Sequence, residues 1–334
     1  MDGASADPAP TPGQGRRSGL ARRAALVAGQ VALTVLVAWF ILDRVGLSVA
    51  DLENVDPARW TPRWGIFLVS CLVLLLGYVL SGVIWGVMVR DMGGSRLPPA
   101  TAVRVWLVAN LGRYIPGKLW QIAGLALLAR ERGVSARVAT GAAVLGQGIA
   151  LMAAALVGAV ALLGAGPVYR TAGVWTLGIL LVLGGVALAP PVLERLVSAW
   201  YRLARVDPPE TDEPGPGRVL RWGALYVLNW VVYAFSFWIL VKSFDLPGTL
   251  LETAPAFAAA YFLGYVAVFA PAGVGVREGF LTVFLGPVMG AGTAVVLSVV
   301  TRVWTTGVEV LPAGALWLDR LSRGGPSDAR GGDA

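Results

Sequence analysis

Histidine is absent from the 334 residues of this chain, and cysteine occurs only once, as Cys71. Without histidine the chain lacks the commonest general base of enzymes and the commonest metal ligand in proteins. A single cysteine, set inside an apolar run, cannot form an internal disulfide, so no disulfide framework holds the fold. These absences argue against metalloenzymes and most hydrolases, and they predict neither a metal nor any other cofactor.

Charged residues are also scarce. They make up 14% of the chain, against 56% apolar residues, and the mean hydropathy is +0.69. A water-facing globular surface needs more charge than this, so lipid must cover most of the protein. Glycine contributes 43 residues, and this abundance, against a usual share of about 7%, is typical of closely packed membrane helices. The composition predicts an all-α integral membrane protein rather than a soluble enzyme.

The net charge of +7 would also suit a nucleic-acid-binding protein, but the basic residues do not form one patch. They lie in short loops between apolar segments, where their positions follow membrane topology. We therefore expect no nucleic-acid partner.

Six apolar segments are long enough to cross about 30 Å of hydrocarbon as helices. They are residues 24–42, 65–89, 139–163, 172–193, 219–241 and 294–316. A basic, Pro- and Gly-rich tail (1–23) precedes them and a second tail (317–334) follows, and we expect both to be disordered and cytoplasmic. The predicted membrane domain covers 24–316, in two halves of 24–163 and 172–316.

Two further apolar segments, 101–129 and 250–289, are interrupted in the middle. Pro116 and Gly117 break the first, and a glycine-rich run that starts at Pro271 breaks the second. Proline removes a backbone donor and glycine permits positive φ, so a continuous helix through either point is unfavourable. We interpret each segment as a re-entrant helical hairpin; two separate kinks in an ordinary bundle are the alternative.

Arginines are concentrated in the loops that this arrangement places on one side of the membrane. Lys and Arg mark cytoplasmic loops, so both termini are predicted to be cytoplasmic, in a bacterial inner membrane. Three crossings in the first half make the second half an inverted copy: two crossings, a hairpin and one more crossing. The first hairpin then enters from the cytoplasm and the second from outside, as in transporters whose binding site lies between inverted repeats.

The first break gathers hydrogen-bond donors where apolar residues dominate on both sides. Its candidate binding residues are Asn110, Arg113, Tyr114, Pro116, Gly117, Lys118, Trp120 and Gln121. Donors at a broken helix favour an anion, and the natural anion in a membrane is a lipid phosphate. The alternative is that Arg113 and Lys118 reach the cytoplasmic headgroups as topology anchors, with the two aromatic residues in the interfacial belt.

The second break carries two adjacent charges. Its candidate residues are Pro271, Gly273, Gly275, Arg277 and Glu278. Arg302 and Glu309 are seven residues apart in the last crossing and therefore share a helix face. They are the expected partners of the charges at the second break, because charges inside a membrane need partners. The network is either purely structural or one that an anionic guest opens.

At these two motifs the chain resembles the transmembrane, flippase-like domain of lysylphosphatidylglycerol synthases, which also occurs as stand-alone membrane proteins. The matching stretches are Asn110–Trp120 (NLGRYIPGKLW) and Pro271–Glu278 (PAGVGVRE), and the resemblance covers residues 24–316. It implies the movement of a lipid between leaflets. Residues 317–334 leave no room for the soluble aminoacyl-transfer domain of the synthases, so synthase activity is not expected.

Three classes of function follow. The first is a lipid translocase for an anionic phospholipid or a polyprenyl-phosphate-linked lipid, the second a secondary carrier of a small anionic solute, and the third a membrane enzyme acting on a lipid-linked substrate. An enzyme would need acidic pairs near the membrane face, and the acidic residues of the outer loops do not form them, so no catalytic activity is expected. No G-x-x-x-x-G-K-[ST] loop for ATP occurs, so transport would follow existing gradients.

Overall fold

The computed structural model describes residues 60–114, 119–164, 215–267, 273 and 275–323, with scattered positions between 171 and 198. Every regular element in these residues is helical. The α-helices are α1 (Trp64–Asp91), α2 (Pro99–Asn110), α3 (Leu119–Arg130), α4 (Ala136–Gly164), α5 (Pro216–Ser243), α6 (Leu250–Val266), α7 (Val276–Met289) and α8 (Ala291–Arg323). The predicted all-α class is confirmed for this part of the chain.

Four of these helices, α1, α4, α5 and α8, are long and apolar enough to cross a membrane. They contain the predicted crossings 65–89, 139–163, 219–241 and 294–316. Together with the shorter apolar helix α6 they make the chain a multi-pass membrane protein. The predicted crossing 24–42, most of 172–193 and the tail 1–23 lie outside the described residues.

The ends of the helices differ from the predicted ends by a few residues. α5 begins at Pro216, which is tolerated in a first turn because its missing N–H would have no partner there. α8 continues to Arg323, so residues 317–323 are helical and do not belong to a disordered tail.

Helices α1 and α5 form an antiparallel pair that is fastened at both ends. At one end the Asp91 carboxylate accepts a hydrogen bond from Trp222 Nε1 at 2.9 Å. At the other end the Arg63 backbone N–H donates to the Ser243 carbonyl oxygen at 2.7 Å, and the Arg63 guanidinium pairs with Asp245. The two crossings therefore run in opposite directions, as the predicted topology requires.

Helices α2 and α3 form a hairpin whose two ends meet. The Ser95 hydroxyl, ahead of α2, donates to the Gly133 carbonyl oxygen, after α3, at 3.1 Å. Near the tip, a Cβ added to Gly124 would lie 3.5 Å from Ala109, so the two helices also touch there. A 3₁₀ turn (Leu111–Tyr114) follows α2 at the tip. The start and the end of this hairpin therefore lie side by side.

Helices α6 and α7 form the second hairpin, and its ends also meet. A Cβ added to Gly248, ahead of α6, would lie 3.1 Å from Val288 Cγ1, near the end of α7. Helix α6 begins where a Glu252 carboxylate oxygen accepts a 2.7 Å hydrogen bond from the Thr249 N–H, an arrangement that caps the first turn. The described chain therefore contains the same order of elements twice: a long helix, a hairpin and a second long helix, in α1–α4 and again in α5–α8.

The two hairpins start from opposite ends of the α1–α5 pair. The first follows the end of α1, where the Gly94 N–H bonds back to the Val89 carbonyl oxygen at 2.9 Å. The second follows the end of α5, where the Leu246 N–H bonds back to the Val241 carbonyl oxygen at 3.3 Å. Because α1 and α5 are antiparallel, the hairpin tips approach one another from opposite sides. This is the relation expected of inverted halves.

Glycine allows each hairpin to pack closely on a long helix. A Cβ on Gly82 of α1 would lie 2.8 Å from the Val103 Cα of α2, and one on Gly158 of α4 would lie 2.6 Å from the Ala259 nitrogen of α6. Both distances are too short for a real side chain, so only glycine fits. Gly148 of α4 differs, because no described heavy atom lies within 4 Å of the corresponding position.

Replacement of these two glycines of α4 by alanine should have opposite effects. Gly158→Ala is expected to lower the free energy of unfolding by on the order of 1–3 kcal/mol, because the added methyl group overlaps the α6 backbone. Gly148→Ala is the matched control and should be neutral or stabilising, because alanine favours helix over glycine. Thermal unfolding in detergent measures both. Equal unfolding temperatures would contradict the close contact between α4 and α6.

Candidate functional site

The first hairpin tip is tightly folded. Helix α2 ends at Asn110, and the 3₁₀ turn places Gly112 against the start of α3, where an added Cβ would lie 2.8 Å from the Gln121 backbone nitrogen. A side chain at this position would push the turn away from α3. The backbone here therefore brings the side chains of Asn110, Arg113 and Tyr114 close together at the tip.

All three of these side chains bind one carboxylate, that of Glu309 in α8. Asn110 Nδ2 donates to Glu309 Oε1 at 3.0 Å, and the Tyr114 hydroxyl donates to Oε2 at 2.8 Å. Arg113 Nη1 lies 3.2 Å from Oε1 and forms the salt bridge. Glu309 is 2% exposed, so these donors replace the water that the carboxylate has lost.

Gln121 of α3 holds the first of these donors in position. Its Nε2 donates to Asn110 Oδ1 at 2.5 Å, which leaves the Asn110 amide nitrogen directed to Glu309. Asn110 is itself fully buried. The two helices of the first hairpin and α8 are thus joined by one chain of polar contacts.

The second hairpin tip also depends on glycine. Gly273 has a φ of 68°, and a Cβ there would lie 2.8 Å from the Gly264 carbonyl oxygen of α6. Gly275, with a φ of 80°, caps α7, and its N–H donates to Glu278 Oε2 at 2.7 Å. L side chains rarely adopt such positive φ values, so glycine is required at both positions.

Glu278 has two partners, one for each carboxylate oxygen. Oε2 caps α7, whereas Oε1 lies 3.5 Å from Arg302 Nη1 of α8. Glu278 is therefore a structural cap and an ion-pair partner at the same time. The expected pairing of the second break with α8 is confirmed for Glu278 and Arg302.

Arg277 lies against aromatic rings. Its Cζ is 5.0 Å from the centre of the Phe257 ring and 5.4 Å from that of Tyr261, both in α6. Its Nη2 is buried and has no hydrogen-bond partner in the structure. Ring faces attract a cation but do not neutralise it. Among the described residues, Arg277 thus has no salt bridge to a carboxylate.

The tips of both hairpins line one cavity of about 210 Å³. The predicted residues that line it are Arg113, Tyr114, Gln121, Gly273, Arg277, Arg302 and Glu309. This volume exceeds the space that a single water molecule needs by about an order of magnitude. In the described part of the chain its charged lining consists of three arginines and one glutamate. Among the described residues the lining therefore carries more positive than negative charge.

Two expectations about the site residues need correction. Glu309 does not pair with the second break, because the donors of the first hairpin surround it. Trp120 does not line the cavity, and its side chain is 53% exposed. Asn110 and Glu278 do not line the cavity themselves, but they bind the lining residues Glu309 and Arg302. Four predicted residues lie outside the described part: Pro116, Gly117, Lys118 and Pro271.

Helices α1 and α5 contribute cavity residues that were not predicted from the sequence. These include Tyr78, Ser81, Asn229, Trp230 and Tyr233. Ser81 and Asn229 interrupt apolar crossings, and polar residues inside a crossing commonly bind another helix or a guest. Their polarity could have marked both residues as candidates, but nothing in the sequence spacing indicates that they meet.

Comparison with known families agrees with this architecture. The sequence matches the family model of the lysylphosphatidylglycerol synthase TM region over residues 25–313, which includes both hairpins, all of α1, α4 and α5, and most of α8. No curated protein matches the chain. The family match spans most of the 334 residues. The chain therefore belongs to the family of the lysylphosphatidylglycerol synthase TM region.

Proposed function

We propose that this protein is a flippase-like lipid translocase, which moves an anionic phospholipid or a lipid-linked phosphate between the leaflets of a bacterial cytoplasmic membrane. In this proposal α2–α3 and α6–α7 are re-entrant hairpins, entering from the cytoplasm and from outside respectively, and both termini are cytoplasmic. One observation carries the proposal: the tips of both hairpins line a single cavity with α8. Broken helices that meet between inverted halves are typical of transporter binding sites.

The balance of charge supports an anionic cargo. The positive charge of Arg113 is paired with Glu309, and that of Arg302 is paired with Glu278. Arg277 adds a positive charge that has no such match among the described residues. An anionic group that reaches Arg277 can form a charge-assisted hydrogen bond with its guanidinium, which has no described carboxylate as a partner. A phosphodiester headgroup carries one negative charge and would balance this excess.

The surface beside the site supports a lipid rather than a small solute. Tyr114 and Trp120, at the tip of the first hairpin, are 41% and 53% exposed. Exposed aromatic rings beside the cavity offer an apolar surface to the chains of a lipid that enters it. A carrier of a small anionic solute would use the same arginines. Only a measurement of which molecule is transported therefore distinguishes a lipid translocase from a solute carrier.

An entering headgroup would also act on the ion pairs. Arg302 lines the cavity and lies 3.5 Å from Glu278, a longer contact than the 3.2 Å between Arg113 and Glu309. An anion in the cavity competes with Glu278 for Arg302. Release of this contact, which joins α7 to α8, gives the cargo a means of altering the packing of the second hairpin.

Cysteine accessibility tests the proposed topology. With Cys71 replaced by serine, Ser95→Cys at the start of the first hairpin should react with an impermeant thiol reagent only from the cytoplasmic side. Pro247→Cys, ahead of the second hairpin, should react only from outside. Both native positions are exposed in the structure. Reaction of both variants from the same side would contradict the inverted arrangement.

Arg277→Met tests the anion site. Transfer of fluorescent phosphatidylglycerol in proteoliposomes should fall about 10- to 100-fold, the usual value of a charged hydrogen bond. Stability should be retained, because no described carboxylate loses its ion-pair partner. Arg113→Met is the matched comparison, which strands buried Glu309 and should lower the free energy of unfolding by about 3–5 kcal/mol.

Wild-type lipid transfer by a folded Arg277→Met protein would count against the proposed site. Uptake of a water-soluble phosphate ester by the wild-type protein, without transfer of any lipid, would instead favour the solute carrier. Unchanged stability of Arg113→Met would show that the Glu309 carboxylate does not depend on this arginine.

Glu278→Gln separates the two roles of Glu278. Glutamine keeps an oxygen that can accept the Gly275 N–H but removes the charge that pairs with Arg302. We expect normal thermal stability and a changed rate of lipid transfer. Glu252→Gln is the control, because it makes the same change at the capped start of α6 and should leave transfer unaltered. A large loss of stability, or normal transfer in a stable Glu278→Gln protein, would make Glu278 purely structural.

A further inference from the structure

The two ion pairs of α8 differ in how deeply their carboxylates are buried. The side chain of Glu309 is 3% exposed, whereas that of its partner Arg113 is 25% exposed. In the second pair the side chains of Glu278 and Arg302 are 20% and 26% exposed. Both Arg113 and Glu309 line the cavity. An anion in the cavity can therefore reach the arginine of the first pair while the carboxylate stays enclosed.

An anion that engages Arg113 competes with Glu309 for its counter-charge. Arg113 Nη1 makes the salt bridge of this carboxylate at 3.2 Å. The other two partners, Asn110 and Tyr114, are neutral hydrogen-bond donors. An enclosed carboxylate that loses its counter-charge is costly, and such a group takes up a proton instead. Engagement of Arg113 by an anion therefore favours the protonated form of Glu309.

The other titratable and charged groups around Glu309 do not take the place of Arg113. Tyr78 of α1 and Tyr233 of α5 interact with Glu309 electrostatically, but tyrosine is neutral near pH 7. The remaining charges on the helices that pack against α8 have other contacts. These are Arg104 with Asp319, Glu278 with Arg302, and Arg277 with the rings of Phe257 and Tyr261.

The neutral partners of Glu309 suit its protonated form as well as its ionised form. Asn110 Nδ2 donates to Oε1, and Gln121 holds the Asn110 amide in this direction, so Oε1 can remain the carbonyl oxygen of a neutral acid. The Tyr114 hydroxyl, 2.8 Å from Oε2, can accept a hydrogen bond from the acid instead of donating one to the carboxylate. The Thr306 side chain, which also hydrogen-bonds with Tyr114, can then accept the phenol proton. The acid therefore keeps a partner on each oxygen.

We infer that Glu309 is a proton-binding site that couples lipid transfer to a proton gradient: an anionic headgroup that engages Arg113 is carried together with a proton on Glu309 Oε2. This inference rests on the proposed function and adds its driving force. Water supplies the proton, and Tyr114, which is 41% exposed and lines the cavity, lies between Oε2 and the open side. When the headgroup leaves, Glu309 pairs with Arg113 again and returns the proton to water. A phosphodiester and its proton thus cross as a neutral unit.

Proton uptake on binding tests the inference. Titration calorimetry of dihexanoyl phosphatidylglycerol into the protein in detergent, in buffers of different ionisation enthalpy, counts the protons taken up per bound lipid. The wild-type protein should take up about one proton near pH 7, and its affinity should rise up to about tenfold for each unit by which the pH falls. Glu309→Gln resembles the protonated form and should take up none. Glu252→Gln, at a residue that does not line the cavity, is the matched control and should behave as the wild type.

Imposed gradients test the coupling during transfer of trace fluorescent phosphatidylglycerol in proteoliposomes. An uncoupled headgroup with a single negative charge would redistribute about 50-fold for each 100 mV of membrane potential. A headgroup carried with a proton should not respond to the potential, and it should accumulate on the alkaline side about tenfold for each unit of pH difference. Glu309→Gln should respond to the potential and not to the pH difference.

A comparison without ligand keeps the inference testable even if Glu309→Gln alone does not fold. Arg113→Met removes the counter-charge, as a bound anion does. The deficit in its unfolding temperature relative to the wild type should shrink as the pH falls from about 8 to about 5, because Glu309 then takes up a proton. The double variant Arg113→Met/Glu309→Gln should show no such dependence on pH. A deficit of Arg113→Met that is the same at every pH would overturn the inference.

Lipid transfer that follows the membrane potential, without proton uptake on binding, would overturn the inference and leave the translocase proposal standing. Proton uptake that persists in Glu309→Gln and disappears in Glu278→Gln would do the same. Proton-coupled uptake of dimethyl phosphate, without transfer of any lipid, would support the role of Glu309 and overturn lipid translocation. Absence of binding by both phosphatidylglycerol and dimethyl phosphate would overturn both proposals.

Discussion

The carboxylate of Glu309 lies buried within a bundle of membrane helices, where an ionised group without partners is costly. Three donors from the tip of the first hairpin meet this requirement. The same contacts hold the interrupted backbone after Asn110, because they tie the turn to α8. The break in the first hairpin and the buried charge therefore stabilise each other, and removal of either leaves the other without its partner.

Helix α8 extends this relation to the second hairpin. Arg302 and Glu309 are seven residues apart, about 10 Å along the helix axis. The arginine faces Glu278 of the second hairpin and the glutamate faces Arg113 of the first. One helix thus supplies each hairpin with a charge of the opposite sign. A shift of α8 along its axis would alter both ion pairs together, which links the two sides of the cavity.

Much of this architecture could be predicted from the sequence. Long apolar runs define α1, α4, α5 and α8, and the glycine and proline positions locate the second break and the turn after α2. The pairing of the charges could not be predicted, because a seven-residue spacing fixes a shared helix face and not the neighbour on each part of it. Asn229 and Ser81 were missed for a similar reason, since they are 148 positions apart and meet only through the packing of α5 on α1.

The contacts that seat the hairpins on the long helices have a mechanical consequence. Gly82 meets the backbone at Val103, and Gly158 meets the backbone at Ala259, so at these two points the long helix presents no side chain to the hairpin. Interlocked side chains resist sliding, because each must change its rotamer before the next groove is reached. A glycine in contact with backbone has no rotamer to change. These two contacts therefore do not oppose a small shear displacement of either hairpin along its long helix.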